Sequence, residues 1–188
     1  EEATEAEKLV GSLNSEVRGV LRVSASVAFG TLHVAPALAE FLPRHPELRI
    51  DLSITDRWVN LAEEGFDVAI HVTGDPAPNL VARPLAPVRR KLCATPEYFR
   101  RRGIPQTPAD LVTHNCLDYT RSGEPGRWRF TGPEGEISVP VNGTLHVDDD
   151  EALSQAVLGG LGVGLLPTFI IGKDLQHEVE TIVTGAQA

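Results

Sequence analysis

Three groups of residues invite a chemical reading. Ser24, Ser26 and His71 have the side chains of a hydrolase, in which a histidine draws the proton from a serine hydroxyl. No GxSxG elbow surrounds either serine, however, and the chain contains neither an HExxH nor a P-loop. The run His146-Val147-Asp148-Asp149-Asp150 offers an imidazole and three carboxylates, which are metal-ligand types. Its spacing fits neither a calcium loop nor a zinc motif, and no second histidine lies nearby in sequence. Carboxylates just ahead of an apolar helical stretch are instead helix caps, because they accept free backbone N–H groups at the positive end of the dipole. The third group, Gly159-Gly160-Leu161-Gly162-Val163-Gly164, is glycine-rich enough for a phosphate loop. No GxGxxG register runs through it, and it follows a helix rather than opening one, so it reads as a helix-to-strand stop. The other histidines (His33, His45, His114, His177) are scattered. No nucleophile with its base, no metal set and no cofactor loop remains, so the chain reads as a binding protein rather than an enzyme.

Composition narrows the setting. The 188 residues are 41% hydrophobic and 23% charged, the balance of a folded chain with one large domain or two small ones sharing a cleft. The net charge of −9 makes a poor partner for phosphates, so DNA binding by this chain alone is not expected. Cys93 and Cys116 lie in expected strands without a CxxC spacing and read as buried thiols in a reducing compartment. Asn142-Gly143-Thr144 matches a glycosylation acceptor, but between two apolar runs Asn-Gly reads as a tight hairpin turn. The longest apolar run, residues 157–171, is interrupted by four glycines and Pro167 and is too short for a bilayer. The acidic start lacks the basic flank of a secretory signal, so a cytoplasmic protein without a membrane span is expected.

The elements that must position these groups follow from periodicity. Residues 1–16 read as a polar helix, with Leu9, Val10, Leu13 and Val17 at helical spacing. Residues 20–25 form an apolar strand. A helix over 31–44 follows, with Leu32, Ala35, Leu38, Ala39 and Leu42 on one face, stopped by His45-Pro46. A strand over 48–55, a short helix over 57–64 closed by Gly65 and a strand over 66–72 repeat the unit. This alternation predicts a parallel sheet flanked by helices. Pro84 and Pro87 make residues 80–88 an extended crossover to a second unit. That unit opens with a strand over 91–94 and a helix over 96–102, which Gly103 stops. A helical piece over 108–113 and strands over 116–119, 128–130, 137–141 and 144–147 follow. A helix over 149–158, a strand over 163–166, a helix over 169–175 and a strand over 179–183 complete the chain. In an open parallel sheet the carboxyl ends of the strands share one edge, where ligands bind. The residues from Ser26 to Thr31, Thr55-Asp56 and Thr73-Gly74 all fall there; capping of the helices alone would also account for them.

The order of RGVLRVSASVAFG, LAEFLPRHPELRIDLSITD, LAEEGFDVAIHV, LVARPLAPVRRKLCATPEYFRRRG and HVDDDEALSQAVLGGLGVGLLP resembles the effector-binding domain of LysR-type transcriptional regulators across about residues 10–180. The resemblance implies an α/β fold of two Rossmann-like lobes joined by crossover strands, the periplasmic-binding-protein type 2 fold. Residues 1–16 would be the end of a linker helix, 17–88 the first lobe and 89–188 the second. The family pattern also implies a C-terminal return strand and helix in the first lobe, which this chain lacks, and an N-terminal winged helix-turn-helix for promoter DNA, likewise absent from it. By position, the family's effector contacts fall on Ser26 with Val27, Phe29 and Thr31, on Thr55 and Asp56, and on His71 and Thr73. In the second lobe they fall on Thr120, Arg121, Asp148, Asp149 and Asp150. The implied partners are a small-molecule effector and further copies of the chain in a dimer or tetramer, with no cofactor. A transport-type solute-binding protein of the same fold is the alternative reading.

Overall fold

A computed structural model describes residues 17–72, 78–121, 124–132, 135–172 and 180–182. The chain divides into two compact units, residues 1–74 and 75–188. Among the described residues no helix is long and apolar enough to cross a membrane. The expected linker helix over residues 1–16 and Thr73 lie outside the described residues.

In the first unit β1 (Gly19–Ala25) is the centre of a parallel sheet, flanked by β2 (Leu48–Ile54) and β3 (Val68–Ile70). The register pairs Val23 with Leu52 and Val68, and Ala25 with Ile54 and Ile70, so one face is wholly apolar. Arg22, Ser24, Asp51 and Ser53 alternate onto the other. A helical passage covers the apolar face, where Gly30 packs on Ala25 and Ile54. The passage runs as α1 (Val27–Phe29), a π-turn over Gly30–Val34, α2 (Ala35–Phe41) and a 3-10 turn over Leu42–Arg44. It therefore starts four residues earlier than the periodicity suggests. The wider π-turn also shifts its phase: Gly30 and Val34 are buried, whereas Leu32, Ala35 and Ala39 of the expected apolar face are exposed. The second helix of the unit shrinks to α3 (Leu61–Glu64), with Asn60 as N-cap and Gly65 in the left-handed conformation at its end.

The second unit holds a five-stranded mixed sheet in the order β10–β4–β9–β5–β8. Its strands are β4 (Arg90–Ala94), β5 (Cys116–Tyr119), β8 (His146–Val147), β9 (Val163–Pro167) and β10 (Glu180–Ile182). Residues 80–88 form neither helix nor strand. The helices are α4 (Pro96–Arg102), α5 (Asp150–Leu158) and α6 (Thr168–Ile171), with a 3-10 segment over Pro108–Thr113. Tyr98, Phe99, Leu111, Trp128 and Phe130 fill the core. A separate hairpin of β6 (Arg127–Gly132) and β7 (Gly135–Pro140) is tied to β5 through buried Asp118, which accepts from Trp128 Nε1 at 2.9 Å and Gly126 N at 2.9 Å.

One turn expectation is wrong. Asn142-Gly143 does not close a hairpin, because β7 pairs with β6 while β8 runs parallel to β5. Asn142 O instead accepts from Cys116 N at 3.0 Å. Gly143 is required for contact rather than for turn geometry: a Cβ there would lie 1.9 Å from Cys116 O, and its φ is not positive. The chain passes close beside β5 at this point, and only glycine fits.

Candidate functional site

The first cluster lies where the three parallel strands of the first unit end. Backbone bonds lace that edge together, with Ser26 N donating to Ile70 O at 3.2 Å and Thr55 N to Ala25 O at 2.9 Å. Ser26 occupies the N-cap position of α1, but its hydroxyl makes no cap bond. Its Oγ is buried without a hydrogen-bond partner among the described residues. Asp56 takes over the capping across the sheet, accepting from Val27 N at 2.8 Å. Thr55 Oγ1 accepts from Arg57 N at 3.3 Å. The following loop is stapled by Arg57, whose guanidinium bonds both carboxylate oxygens of Glu64 and holds that carboxyl down at about 2.

His71 closes the same edge. Its ring stacks on Trp58 with centroids 4.6 Å apart, and its Nε2 is buried without a hydrogen-bond partner among the described residues. Burial pushes its pKa below the ordinary value of 6.5, with nearby Asp56 pulling the other way, so the imidazole is neutral at pH 7. Two hydrogen-bonding side chains are thus buried at one strand edge without a partner among the described residues. Buried polar atoms in that state cost stability, and they mark a place where a ligand or an ordered water completes the structure. Fully buried Ser24, one residue before Ala25 on β1, likewise has no partner for its Oγ among the described residues.

The sequence-predicted residues Ser26, Val27, Thr55, Asp56 and His71 are therefore brought together. Phe29 and Thr31 lie further along the helical passage, where Phe29 tilts against His33 at 5.1 Å and Thr31 is exposed.

The second cluster sits at the carboxyl ends of β5 and β8 in the second unit. Thr120 N donates to Val147 O at 2.9 Å, bringing Thr120 and Arg121 beside the aspartate run. Each aspartate then has a separate task. Asp148 pairs with Arg121 at 3.4 Å, and Asp149 caps α5 by accepting from Ala152 N at 2.7 Å. Asp150 faces Arg90 at 3.8 Å, with both side chains largely buried. Arg90 also donates to Leu165 O at 3.3 Å and lies over the Tyr119 ring, 5.5 Å from its centroid. The helix dipole and two arginines balance the three carboxylates, which accounts for a run so acidic at a helix start. Among the described residues no group of three or more His, Cys, Asp or Glu is placed to hold a metal.

Sequence reasoning missed Trp58, Arg90 and Tyr119. Trp58 carries the only signal, as one of two tryptophans in the chain and two residues beyond Asp56. Arg90 and Tyr119 work through contacts far apart in sequence.

The LysR substrate binding domain model matches residues 14–186. Among curated proteins, the probable HTH-type transcriptional regulator LtrA of Klebsiella pneumoniae is 31% identical over 177 residues, 94% of this chain and 57% of that protein. The HTH-type transcriptional regulator DmlR of Escherichia coli is 38% identical over 159 residues, 84% and 52% respectively. The chain thus spans little more than half the length of these relatives. Among solved structures, the LysR-type regulator CrgA of Neisseria meningitidis superposes with a TM-score of 0.82 at 26% identity, over 100% of this chain and 64% of that one. The two-lobed, periplasmic-binding-protein-like α/β fold expected from the sequence is the fold these neighbours share.

Proposed function

The chain belongs to the LysR family of transcriptional regulators, and from that premise we propose that it is the family's effector sensor: a regulatory domain that binds a small molecule and alters how an attached DNA-binding head engages a promoter. The observation that carries this reading is the pair of buried, unpartnered atoms, Ser26 Oγ and His71 Nε2, on one edge with Thr55 and Asp56. A hydroxyl and a neutral imidazole N–H can each donate to an acceptor. The exposed face of Trp58 beside them supplies an apolar surface for a ligand's carbon skeleton. In the second unit Thr120, Arg121 and Asp148 to Asp150 are the further polar and charged groups this reading assigns to the effector.

The partners in this reading are the effector and further copies of the chain. Promoter DNA is reached through a winged helix-turn-helix outside these residues, because a net charge of −9 does not suit a phosphate backbone. The protein acts in the cytoplasm, where promoter DNA is, and catalyses no reaction. A transport solute-binding protein is not favoured, since the relatives are named as transcriptional regulators.

A thermal-shift screen of the purified chain against small carboxylic acids, aromatics and amino acids tests the proposal. A saturable rise in melting temperature with one chemical class supports it, because a ligand that binds only the folded state stabilises it by mass action. No response across all three classes counts against it.

A further inference from the structure

The second unit contains a cavity of about 830 Å³ that the effector reading does not use. It lies at the amino end of β5, opposite the Thr120 cluster, and is bounded by α4 and the loops ahead of β5, β8 and β9. Asn115 builds its floor. The Asn115 side chain donates to Leu161 O at 2.8 Å and to Thr144 Oγ1 at 3.0 Å, and accepts from Thr144 N at 2.8 Å. The Asn115 backbone N–H donates to Tyr98 Oη at 2.9 Å, and its carbonyl accepts from Val163 N at 2.9 Å. One residue thus knots three loops and a helix. Gly162 lies so close that a Cβ would stand 2.2 Å from Asn115 O. The walls are fixed before any ligand arrives, which reduces the ordering cost of binding.

The charge of this cavity is opposite to that of the chain. Among the described residues Arg101 and Arg102 line it, together with His114, and no acidic side chain does, in a chain with 26 acids against 17 bases. Arg101 donates to the carbonyl of Gly160, at 3.4 Å, and no carboxylate pairs with it among the described residues. No carboxylate pairs with Arg102 among the described residues, although Arg100 beside it pairs with Glu97. Burial chiefly, and then the Arg102 charge, push buried His114 below its ordinary value, while Asp110 pulls the other way. Arginines in the last turn of a helix also suit its dipole. That role does not require an acid-free wall or a large rigid cavity beside them.

We propose that this cavity is a second ligand site that takes a small oxyanion, a phosphorylated or polycarboxylate molecule whose charged group docks on Arg101 and Arg102. The planar guanidinium forks match the oxygens of either group, and the Asn115 floor offers polar contacts to the remainder. The volume falls in the range of small-molecule sites, and two arginines form too small a basic surface for duplex DNA. A regulator with such a site reads two small molecules, one at the Ser26 edge and one at the amino end of β5.

An NMR titration of the ¹⁵N-labelled chain with inorganic phosphate, and separately with citrate, at ionic strength fixed with sodium chloride, tests the assignment. The expected result is saturable shifts of the His114, Asn115, Gly143, Thr144 and Gly160 amides with at least one probe, and which probe acts identifies the anion class. Replacing both arginines, Arg101→Gln with Arg102→Gln, weakens binding about tenfold or more, the loss expected when charge-assisted hydrogen bonds are removed. Arg100→Gln leaves it unchanged. Ser26→Leu, which disables the effector edge, also leaves it unchanged, so the two sites stand or fall separately. Both lining arginines are exposed, and near-UV circular dichroism checks that their replacement leaves the core intact. Absence of saturable shifts at those amides with both probes, or an equal response in the double variant, overturns the proposal.

Discussion

Cys93 and Cys116 sit where neither thiol can act as a thiolate. Both are fully buried, each is within sulfur hydrogen-bond reach of a backbone carbonyl, and burial pushes both up to about 12. A thiol needs a thiolate fraction to react, so the folded chain should be inert to Ellman's reagent at neutral pH and release both thiols only after unfolding. Rapid labelling of the native protein would contradict this. His71 and His114 set a pH response. Both are lowered from 6.5, chiefly by burial, so the unfolded chain takes up protons more readily than the folded one. Their contribution to stability is full above pH 6.5 and is lost as the pH falls through the window below it. Glu64 and Asp110 are also lowered, but from 4.5 and 3.8, so their losses come at more acidic pH. The melting temperature should therefore fall as the pH drops below about 6.5, and His71→Gln combined with His114→Gln should flatten that slope. An unchanged slope in the double variant would assign the response elsewhere. At this scale Ser26 is legible in the sequence because a small polar residue directly follows an apolar strand. That its hydroxyl lacks a cap bond is not legible, because Asp56 arrives from another strand to do the capping.

Elements made by local signals match their sequence reading closely. The helix Pro96–Arg102 has Thr95 as a capping residue, Pro at its first position and Gly103 past its end, and the structure reproduces its bounds. Elements that depend on neighbours do not. The π-turn at Gly30–Val34 shifts the helical phase to suit the sheet below, which no periodicity in residues 31–44 announces. Asn142-Gly143 carries the composition of a hairpin turn, yet serves the close passage of two chain segments. That difference is measurable. Gly143→Ala would place a methyl against the backbone of Cys116, which cannot move as a side chain can. The expected loss in urea unfolding is about 3 kcal/mol or more, at or beyond the upper end of ordinary overpacking. A true hairpin glycine of left-handed conformation would tolerate asparagine, whereas Gly143→Asn here should be at least as damaging as alanine. A loss below about 1 kcal/mol for the alanine variant would contradict the contact reading.

Over the whole molecule, the strand–helix–strand repeat makes the α/β class readable from sequence. The mixed order β10–β4–β9–β5–β8 is not readable, because antiparallel and parallel partners there come from distant segments. The first unit keeps large apolar side chains at its surface, including Val20, Phe41, Ile54 and Trp58. A second copy of the chain is the expected cover for part of that surface, in a two-fold pair. Sedimentation equilibrium should show a concentration-dependent dimer, and a strictly monomeric mass at high concentration would count against it. The central claim remains the effector edge at Ser26, Thr55, Asp56 and His71. Calorimetric titration of the ligand from the thermal-shift screen into wild-type, Ser26→Ala and Ser26→Leu chains tests it most directly. The expected loss in binding is about 0.5–1.5 kcal/mol for alanine, the worth of one neutral hydrogen bond, with no measurable binding for leucine in a protein that still folds. Unchanged affinity in Ser26→Leu would place the ligand elsewhere and contradict the account.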